Sequence, residues 1–129
     1  MDFVAGIDIG AKSTKALILD GEKRICGKAA VKPRPDFAAV AREVLDLALQ
    51  QAGLKESQLS YIATTGFGRY NVPFRDVQIT DITCVGRAAV FLFPKTRSVL
   101  DIGAQSTRAL RVSDTGKVRE FRTNDKCAA

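Results

Sequence analysis

Two short segments of the chain combine a carboxylate with glycine and hydroxyl residues, which suits them to phosphate and magnesium chemistry. They span residues 8–17 and 101–110 and carry the same residue at eight of ten positions, with no gap between the copies. An apolar run precedes each segment, so Asp8 and Asp101 are predicted at the ends of buried strands. A carboxylate in that position can hold a hydrated Mg²⁺ ion. We therefore expect these two aspartates to be the catalytic residues that organise Mg²⁺ and an attacking water.

The turn after the first aspartate has the features of a phosphate-binding loop. Gly10 carries no Cβ, so the backbone there can come close to a ligand. The turn N–H groups and the hydroxyls of Ser13 and Thr14 can face phosphate oxygens. The duplication strengthens this interpretation, because a nucleotide held between two lobes needs one such loop from each. The alternative is an ordinary duplicated hairpin in which aspartate and glycine serve only as turn residues.

Other motifs narrow the possibilities or leave them open. The chain has no Gly-x-x-x-x-Gly-Lys-Ser/Thr sequence, and no Gly-x-Gly-x-x-Gly follows its first strand, which argues against P-loop and dinucleotide-binding sites. The segment 64–69, Thr-Thr-Gly-Phe-Gly-Arg, is predicted to form a glycine-rich loop in which Arg69 either reaches a phosphate or carboxylate or is a surface residue of a tight turn. Cys127 lies in a polar segment and is either an exposed cluster ligand or a small apolar residue. Cys26 and Cys84 are predicted to be core residues.

Composition excludes several classes of protein. The 129 residues carry a net charge of +6, no histidine and three cysteines without a CxxC pair. Histidine chemistry and a disulfide framework are therefore not expected. The basic residues are scattered rather than arranged in a stripe, so we expect no nucleic-acid partner. No apolar run approaches the roughly 20 residues of a membrane span, and no signal peptide is evident. We expect a cytoplasmic protein.

The hydrophobic pattern alternates strands and helices in the order β-β-β-α-β-α-β-α, followed by a second β-β-β run, which is a mixed α/β layout. The most regular element is a helix between an N-cap at Asp36 and a stop at Gly53. The other predicted elements are a third strand at 23–31, short strands at 59–63 and 76–79, and a helix at 80–93. A strand at 97–100 is predicted to open the second hairpin, and 118–123 is predicted to be its return strand. We expect a first lobe at residues 1–96 and the start of a second lobe at 97–129, with no helix to cover its first hairpin.

The two Asp-Ile-Gly hairpins, the Ala-Thr-Thr-Gly-Phe-Gly-Arg loop at 63–69 and the Asn-Asp-Lys-Cys-Ala-Ala segment at 124–129 together resemble the BadF/BadG/BcrA/BcrD ATPase family. This family includes ATP-binding subunits of benzoyl-CoA reductase and activators of 2-hydroxyacyl-CoA dehydratases. The resemblance implies an RNase H-like, actin-like ATPase lobe plus the first hairpin of a second, incomplete lobe. Residues 67–76 and 78–81 favour the benzoyl-CoA reductase side of the family.

The resemblance also implies site residues, cofactors and partners. Asp8, which would bind Mg²⁺ through water, belongs with Gly10, Lys12 and Ser13 to the first phosphate motif, and Asp101, Gly103 and Gln105 belong to the second. Cys127 matches one ligand of a [4Fe-4S] cluster shared with a second ATPase subunit in a homo- or heterodimer. ATP hydrolysis would then drive a low-potential electron, with ferredoxin as donor, onto a partner subunit that reduces an acyl-CoA, most specifically benzoyl-CoA.

Several features depart from the family pattern. Ala104 and Ser106 replace a glycine and an aspartate of the dehydratase activators, which weakens any magnesium or water role for residue 106. The family continues into a glycine-rich helix start, a second cluster cysteine and an adenosine-binding segment, so we expect the 129-residue chain alone to be inactive. Two rival interpretations stay open: a sugar or acid kinase on the same fold, and a nucleotide-binding assembly module that does not hydrolyse ATP.

Overall fold

The computed structural model describes residues 2–103 and 106–124, and the chain divides into two compact units between Ile79 and Thr80. The strands and helices, in chain order, are β1 Phe3–Ile9, β2 Thr14–Leu19, β3 Ile25–Val31, α1 Phe37–Ala52, β4 Leu59–Thr65, β5 Val77–Gln78, α2 Asp81–Leu92, β6 Ser98–Ile102, β7 Thr107–Val112 and β8 Val118–Asn124. One expected helix is absent from the described residues: between β4 and β5 the chain forms only a short 3₁₀ turn, Arg69–Asn71.

The first unit is a five-stranded mixed sheet in the order β3-β2-β1-β4-β5. The first three strands pair antiparallel, whereas β4 runs parallel to β1, and β5 runs parallel to β4. Along β1, Ala5, Ile7 and Ile9 are buried, and the residues between them are exposed. This period-2 pattern places Asp8 on the face of the sheet opposite the buried core.

Helix α1 covers the buried face of this sheet. The Asp36 carboxylate accepts a hydrogen bond from the Ala39 amide at 3.1 Å, and Gly53 ends the helix in the left-handed conformation with φ 70°. The predicted caps are therefore confirmed. The apolar side of the helix joins the core of the sheet through its fully or nearly fully buried residues Ala41, Val44, Leu45, Ala48 and Leu49.

The second unit is a three-stranded antiparallel sheet in the order β6-β7-β8 with α2 packed against all three strands. The contact is close at Gly86, where a Cβ would lie 2.9 Å from the Gly116 carbonyl oxygen and 2.9 Å from a Val118 methyl. The expectation that no helix covers this hairpin is therefore wrong, because α2 has room to pack where Gly86 meets the β7–β8 turn. The lobe boundary at 96/97 stays a prediction, and the compact units themselves divide between Ile79 and Thr80.

The structural repeat extends into the far turns of the two hairpins, although their residues differ. In the turn between β2 and β3, the Asp20 amide donates to the Arg24 carbonyl at 3.0 Å, and in the turn between β7 and β8 the Ser113 amide donates to the Lys117 carbonyl at 2.9 Å. Equivalent residues of the two turns are 93 positions apart in the sequence (20 and 113, 24 and 117), which is also the separation of Asp8 and Asp101. The duplicated unit is thus a three-stranded meander rather than a hairpin alone.

Neither helix of the described residues has the length and apolar character that crossing a membrane would require.

Gly27→Ala and Gly6→Ala form a matched pair of variants that tests how closely α1 packs on the sheet. A Cβ at Gly27 would overlap the Ala48 carbonyl oxygen and lie 3.0 Å from the Ala52 methyl, whereas a Cβ at Gly6 would meet nothing within 4 Å. We expect Gly27→Ala to lower the free energy of unfolding by about 1–3 kcal/mol. Gly6→Ala should raise it by about 0.5–1 kcal/mol, since glycine is costly inside a strand. Urea denaturation of both variants checks this, and equal stabilities would contradict the close approach.

Asp20 makes the first meander sensitive to acid. Its pKa lies below the usual value, chiefly because the Arg24 backbone amide donates to the carboxylate at 3.0 Å; burial opposes this shift, while the Glu22 amide and the Arg24 guanidinium reinforce it. A lowered pKa means that the stabilising contribution is complete above about pH 4, the unfolded-state value, and is lost as the pH falls through the folded-state pKa.

We therefore expect Asp20→Asn to flatten the pH dependence of stability in acid. The free energy of unfolding, measured by urea denaturation from neutral pH down to about pH 2, should fall less in this variant than in the wild type. Asp114→Asn, at an exposed position in the turn between β7 and β8, serves as the control. An unchanged acid dependence in Asp20→Asn would show that the Asp20 contacts do not contribute.

Candidate nucleotide-binding site

The first candidate site lies at the carboxyl end of β1. Asp8 is exposed on the open face of the sheet, and the turn that follows closes with a hydrogen bond of 3.0 Å from the Gly10 amide to the Ser13 carbonyl. A Cβ at residue 10 would lie 2.9 Å from that carbonyl oxygen. Gly10 is therefore needed for the turn itself, as well as being suited to the approach of a ligand.

The glycine-rich loop after β4 packs directly against this strand end. Gly66 adopts φ 90°, and a Cβ there would overlap the Asp8 carboxylate and lie 2.7 Å from the Ile9 carbonyl oxygen. The Gly68 amide donates to the same Ile9 carbonyl at 3.0 Å. The parallel pairing of β1 with β4 places Thr65 opposite Asp8, which delivers the loop to this point. The two motifs that the sequence treats separately thus form one site.

The Arg69 side chain holds the glycine-rich loop in place through contacts with three residues. Its Nη1 donates to the Gly66 carbonyl at 3.0 Å, its Nε donates to the Gln78 side chain at 2.9 Å, and its guanidinium lies 4.7 Å from the centre of the Tyr70 ring. Of the two alternatives for Arg69, neither describes this arrangement, because the side chain holds the loop that packs on Asp8.

The remaining residues of the first motif differ in accessibility. Lys12 is exposed and Ser13 is partly buried in the turn, so both are open to a ligand. Thr14 begins β2 on the core face, is 0% exposed, and its hydroxyl has no hydrogen-bond partner among the described residues. This position argues against phosphate contact by Thr14 and favours a packing role, because β2 turns residue 14 inward opposite Ile9.

The second motif repeats the turn but adds an ion-pair cluster. The Gly103 amide donates to the Ser106 carbonyl at 2.8 Å, as Gly10 does to Ser13. Asp101 is partly buried, and its Oδ2 lies 3.1 Å from Nη2 of Arg108, which is directly opposite on β7. Nη1 of Arg108 also donates to Asp81 at the start of α2, at 2.5 Å. Gln105 lies outside the described residues.

The structure describes two of the three cysteines, Cys26 and Cys84, and both are free and partly buried. Cys127 lies outside the described residues. Within residues 2–103 and 106–124, no group of three or more histidine, cysteine, aspartate or glutamate side chains could hold a metal ion. The described residues therefore do not fit a [4Fe-4S] cluster. They fit Mg²⁺ in the manner usual for nucleotide enzymes, in which one or two carboxylates act together with substrate phosphates and water.

Comparison with known proteins decides the family. The model of the BadF/BadG/BcrA/BcrD ATPase family matches residues 5–129. The chain belongs to the BadF/BadG/BcrA/BcrD ATPase family. Among curated relatives, the activator of lactoyl-CoA dehydratase from Anaerotignum propionicum is 39% identical over 127 residues, covering 98% of this chain and 49% of the relative. A benzoyl-CoA reductase subunit from Thauera aromatica is 36% identical over 134 residues, covering 100% of this chain and 47% of the relative.

A solved structure of a family member confirms the predicted actin-like ATPase fold. The activator of 2-hydroxyisocaproyl-CoA dehydratase from Clostridium difficile, with bound ADPNP, superposes with a TM-score of 0.86 at 31% identity, over 98% of this chain and 47% of that one. The chain thus spans about half the length of the relatives it matches. These relatives include dehydratase activators as well as a reductase subunit, so the comparisons identify the ATPase family and not a single partner enzyme.

Sequence reasoning missed the contacts of Arg108 and Asp81. One signal was present, since Arg108 is the position at which the second copy of the repeat keeps the positive charge of Lys15. Asp81 carried no such signal, because only the packing of α2 on the sheet brings it to Arg108.

Thr14 provides a direct test of which hydroxyl meets the ligand. We expect Thr14→Val to raise the free energy of unfolding by about 1 kcal/mol, because it removes a buried hydroxyl that lacks a partner. The affinity for Mg-ADP should stay unchanged in the protein expressed from its full coding sequence. Ser13→Ala, in the accessible turn, should weaken that affinity. Urea denaturation and titration calorimetry give both quantities, and a loss of affinity in Thr14→Val would restore a phosphate contact for Thr14.

Proposed function

We propose that this protein binds and hydrolyses ATP and that hydrolysis energises a partner enzyme acting on an acyl-CoA. The observation that carries the proposal is the pair of matched Asp-x-Gly turns, the first of which is closed by the Gly66 loop packed on Asp8. Membership of an ATPase family and the ADPNP bound to a structural relative support nucleotide binding.

Asp8 and Asp101 take different parts in this proposal. Asp8 is the exposed carboxylate at the end of β1 and would hold Mg²⁺ through water. When bound, Mg²⁺ neutralises charge on the phosphates. Asp101, partly buried and held by Arg108, would orient the attacking water. Phosphate oxygens would be met by the turn residues of both motifs, which are Gly10, Lys12, Ser13, Gly103 and Gln105.

The hydrogen bond that closes the first motif turn would preorganise the remaining amides of that turn as donors to phosphate. In each turn one amide is already committed, from Gly10 to Ser13 at 3.0 Å and from Gly103 to Ser106 at 2.8 Å. The bond in the first turn fixes the backbone of that turn before a ligand arrives. Because the donors do not have to reorganise, they contribute more to binding a developing charge than flexible donors would.

The finer part of the proposal concerns electron transfer. We propose that ATP hydrolysis drives a low-potential electron to an acyl-CoA-converting subunit, with a second ATPase subunit and a ferredoxin donor as partners. Cys127, which lies outside the described residues, would be a ligand of a [4Fe-4S] cluster shared between subunits. Support for coupling to an acyl-CoA enzyme comes from relatives named as activators of acyl-CoA dehydratases and as a benzoyl-CoA reductase subunit.

Benzoyl-CoA reduction is the most specific form of this proposal. It rests on segments 67–76 and 78–81, whose sequence favours the reductase side of the family. The described contacts give these segments local roles, since Arg69 and Gln78 brace the Gly66 loop. A dehydratase partner would use the same loop, so the choice of acyl-CoA depends on the partner subunit.

The proposal predicts the behaviour of Asp8→Ala in the protein expressed from its full coding sequence. ATPase turnover should fall about 100-fold or more, because a charge placed to act on the transition state is lost. Phosphate release, measured under anaerobic conditions, checks this.

Asp114→Ala, at an exposed aspartate in the turn between β7 and β8 and outside both motif segments, should keep the wild-type rate and is the matched control. The visible absorbance of anaerobically purified Asp8→Ala should equal that of the wild type, which separates loss of hydrolysis from loss of a cluster. Wild-type ATPase rates in Asp8→Ala would overturn the assignment of Asp8.

A further inference from the structure

Arg108 joins two carboxylates that come from different elements of the second unit. Its Nη2 lies 3.1 Å from Asp101 Oδ2 on β6, and its Nη1 lies 2.5 Å from Asp81 Oδ2 on α2. Two different nitrogen atoms make the two contacts, so one guanidinium holds both carboxylates at once. A planar, charged fork with several donors can do this, whereas the single ammonium of lysine acts as a point charge.

The contact between Arg108 and Asp101 is sheltered from water compared with an ordinary surface pair, whereas the Asp81 side chain is 48% exposed. The Arg108 side chain is 15% exposed and that of Asp101 is 28% exposed. Three residues along the same strand, Arg111 pairs with Glu120 at 3.3 Å, and these side chains are 73% and 70% exposed. An exposed pair contributes little and is screened by salt, so the two arginines of β7 offer an internal comparison.

Asp81 is itself held in place, which makes it a suitable anchor. Its Oδ1 accepts a hydrogen bond from the Ile82 amide at 2.9 Å at the start of α2, while its Oδ2 accepts from Arg108. The second unit therefore contains a continuous connection from the first turn of α2, through Arg108, to the Asp101 carboxylate.

The cross-strand register repeats in both meanders. Arg108 lies directly opposite Asp101, as Lys15 lies directly opposite Asp8. A cation opposite each aspartate is thus a property of the duplicated unit. The arginine and its anchor on α2 distinguish the second copy.

We infer that Arg108 is a positioning residue for Asp101, with Asp81 as the anchor that fixes the guanidinium. This inference rests on the proposed function, in which Asp101 orients the attacking water. Arg108 engages Oδ2 and so limits rotation of the carboxylate, which presents Asp101 in one orientation to the nucleotide. Asp81 holds the Arg108 guanidinium in place when a ligand competes for the Asp101 carboxylate.

The experiment compares Arg108→Met, Arg108→Lys, Asp81→Asn, Asp101→Asn and Arg111→Met in the protein expressed from its full coding sequence. We expect Arg108→Met to lower the ATPase kcat about 10–100-fold, as is usual when a residue supporting a reacting group is removed. The KM for ATP should change much less, because Arg108 itself makes no contact with the nucleotide in this proposal.

The other variants show whether the effect arises from positioning. Arg108→Lys should recover part of the lost kcat, since it restores the charge without the fork. Asp81→Asn should lower kcat by less than Arg108→Met, because the contact between Arg108 and Asp101 remains. Arg111→Met should leave kcat unchanged, although it removes an arginine from the same strand.

Two failures are distinguishable. If Asp101→Asn abolishes turnover while Arg108→Met changes only the free energy of unfolding and leaves kcat intact, Arg108 is a structural tie and the inference is overturned. If Asp101→Asn also keeps the wild-type rate, the role of Asp101 in the proposed function fails first. Urea denaturation of each variant identifies any that do not fold, and Arg108→Lys then provides the test of kcat in a folded protein.

Discussion

At the carboxyl end of β1, the backbone of Gly66 lies so close to Asp8 and Ile9 that any side chain at residue 66 would overlap them. The Gly68 amide donates to the Ile9 carbonyl from the same loop. These contacts depend on the parallel pairing of β1 with β4. The chain between these two strands contains α1, which packs on the opposite face of the sheet and buries it. The position of the Asp8 carboxylate therefore depends on a close backbone approach that only glycine allows, with φ 90°.

The far turns of the two meanders make equivalent hydrogen bonds although their residues differ. In the far turns, the Asp20 carboxylate accepts from the Glu22 and Arg24 amides, and the Ser113 hydroxyl accepts from the Thr115 and Lys117 amides. The residue with positive φ is Lys23 in the first turn and Gly116 in the second. The second copy needs glycine there because α2 packs against it, while the first copy tolerates lysine in an open turn. Duplication thus preserved the turn while its surroundings selected the side chains.

The two motif aspartates sit in different electrostatic surroundings despite their matching sequences. A glycine-rich loop packs beside Asp8, and this carboxylate stays on the exposed face of its sheet. Asp101 is partly buried beside a guanidinium that also holds Asp81. A carboxylate held by an arginine is restricted in orientation. The same motif therefore stands in two different packing environments.

The sequence by itself determined the family, the actin-like fold, the caps of α1 and the positions of nearly all strands. Local rules were sufficient there, since alternation along β1 and helical spacing along α1 identify their buried faces without knowledge of the partner. It could not determine that Thr14 points into the core, because that depends on the register of β2 against β1, and a shift of one residue would reverse the face. Nor could it determine that Gly66 packs on Asp8 or that Asp81 reaches Arg108. Those pairs are far apart in the chain, and only the pairing of β4 with β1 and the packing of α2 on the second sheet bring them into contact.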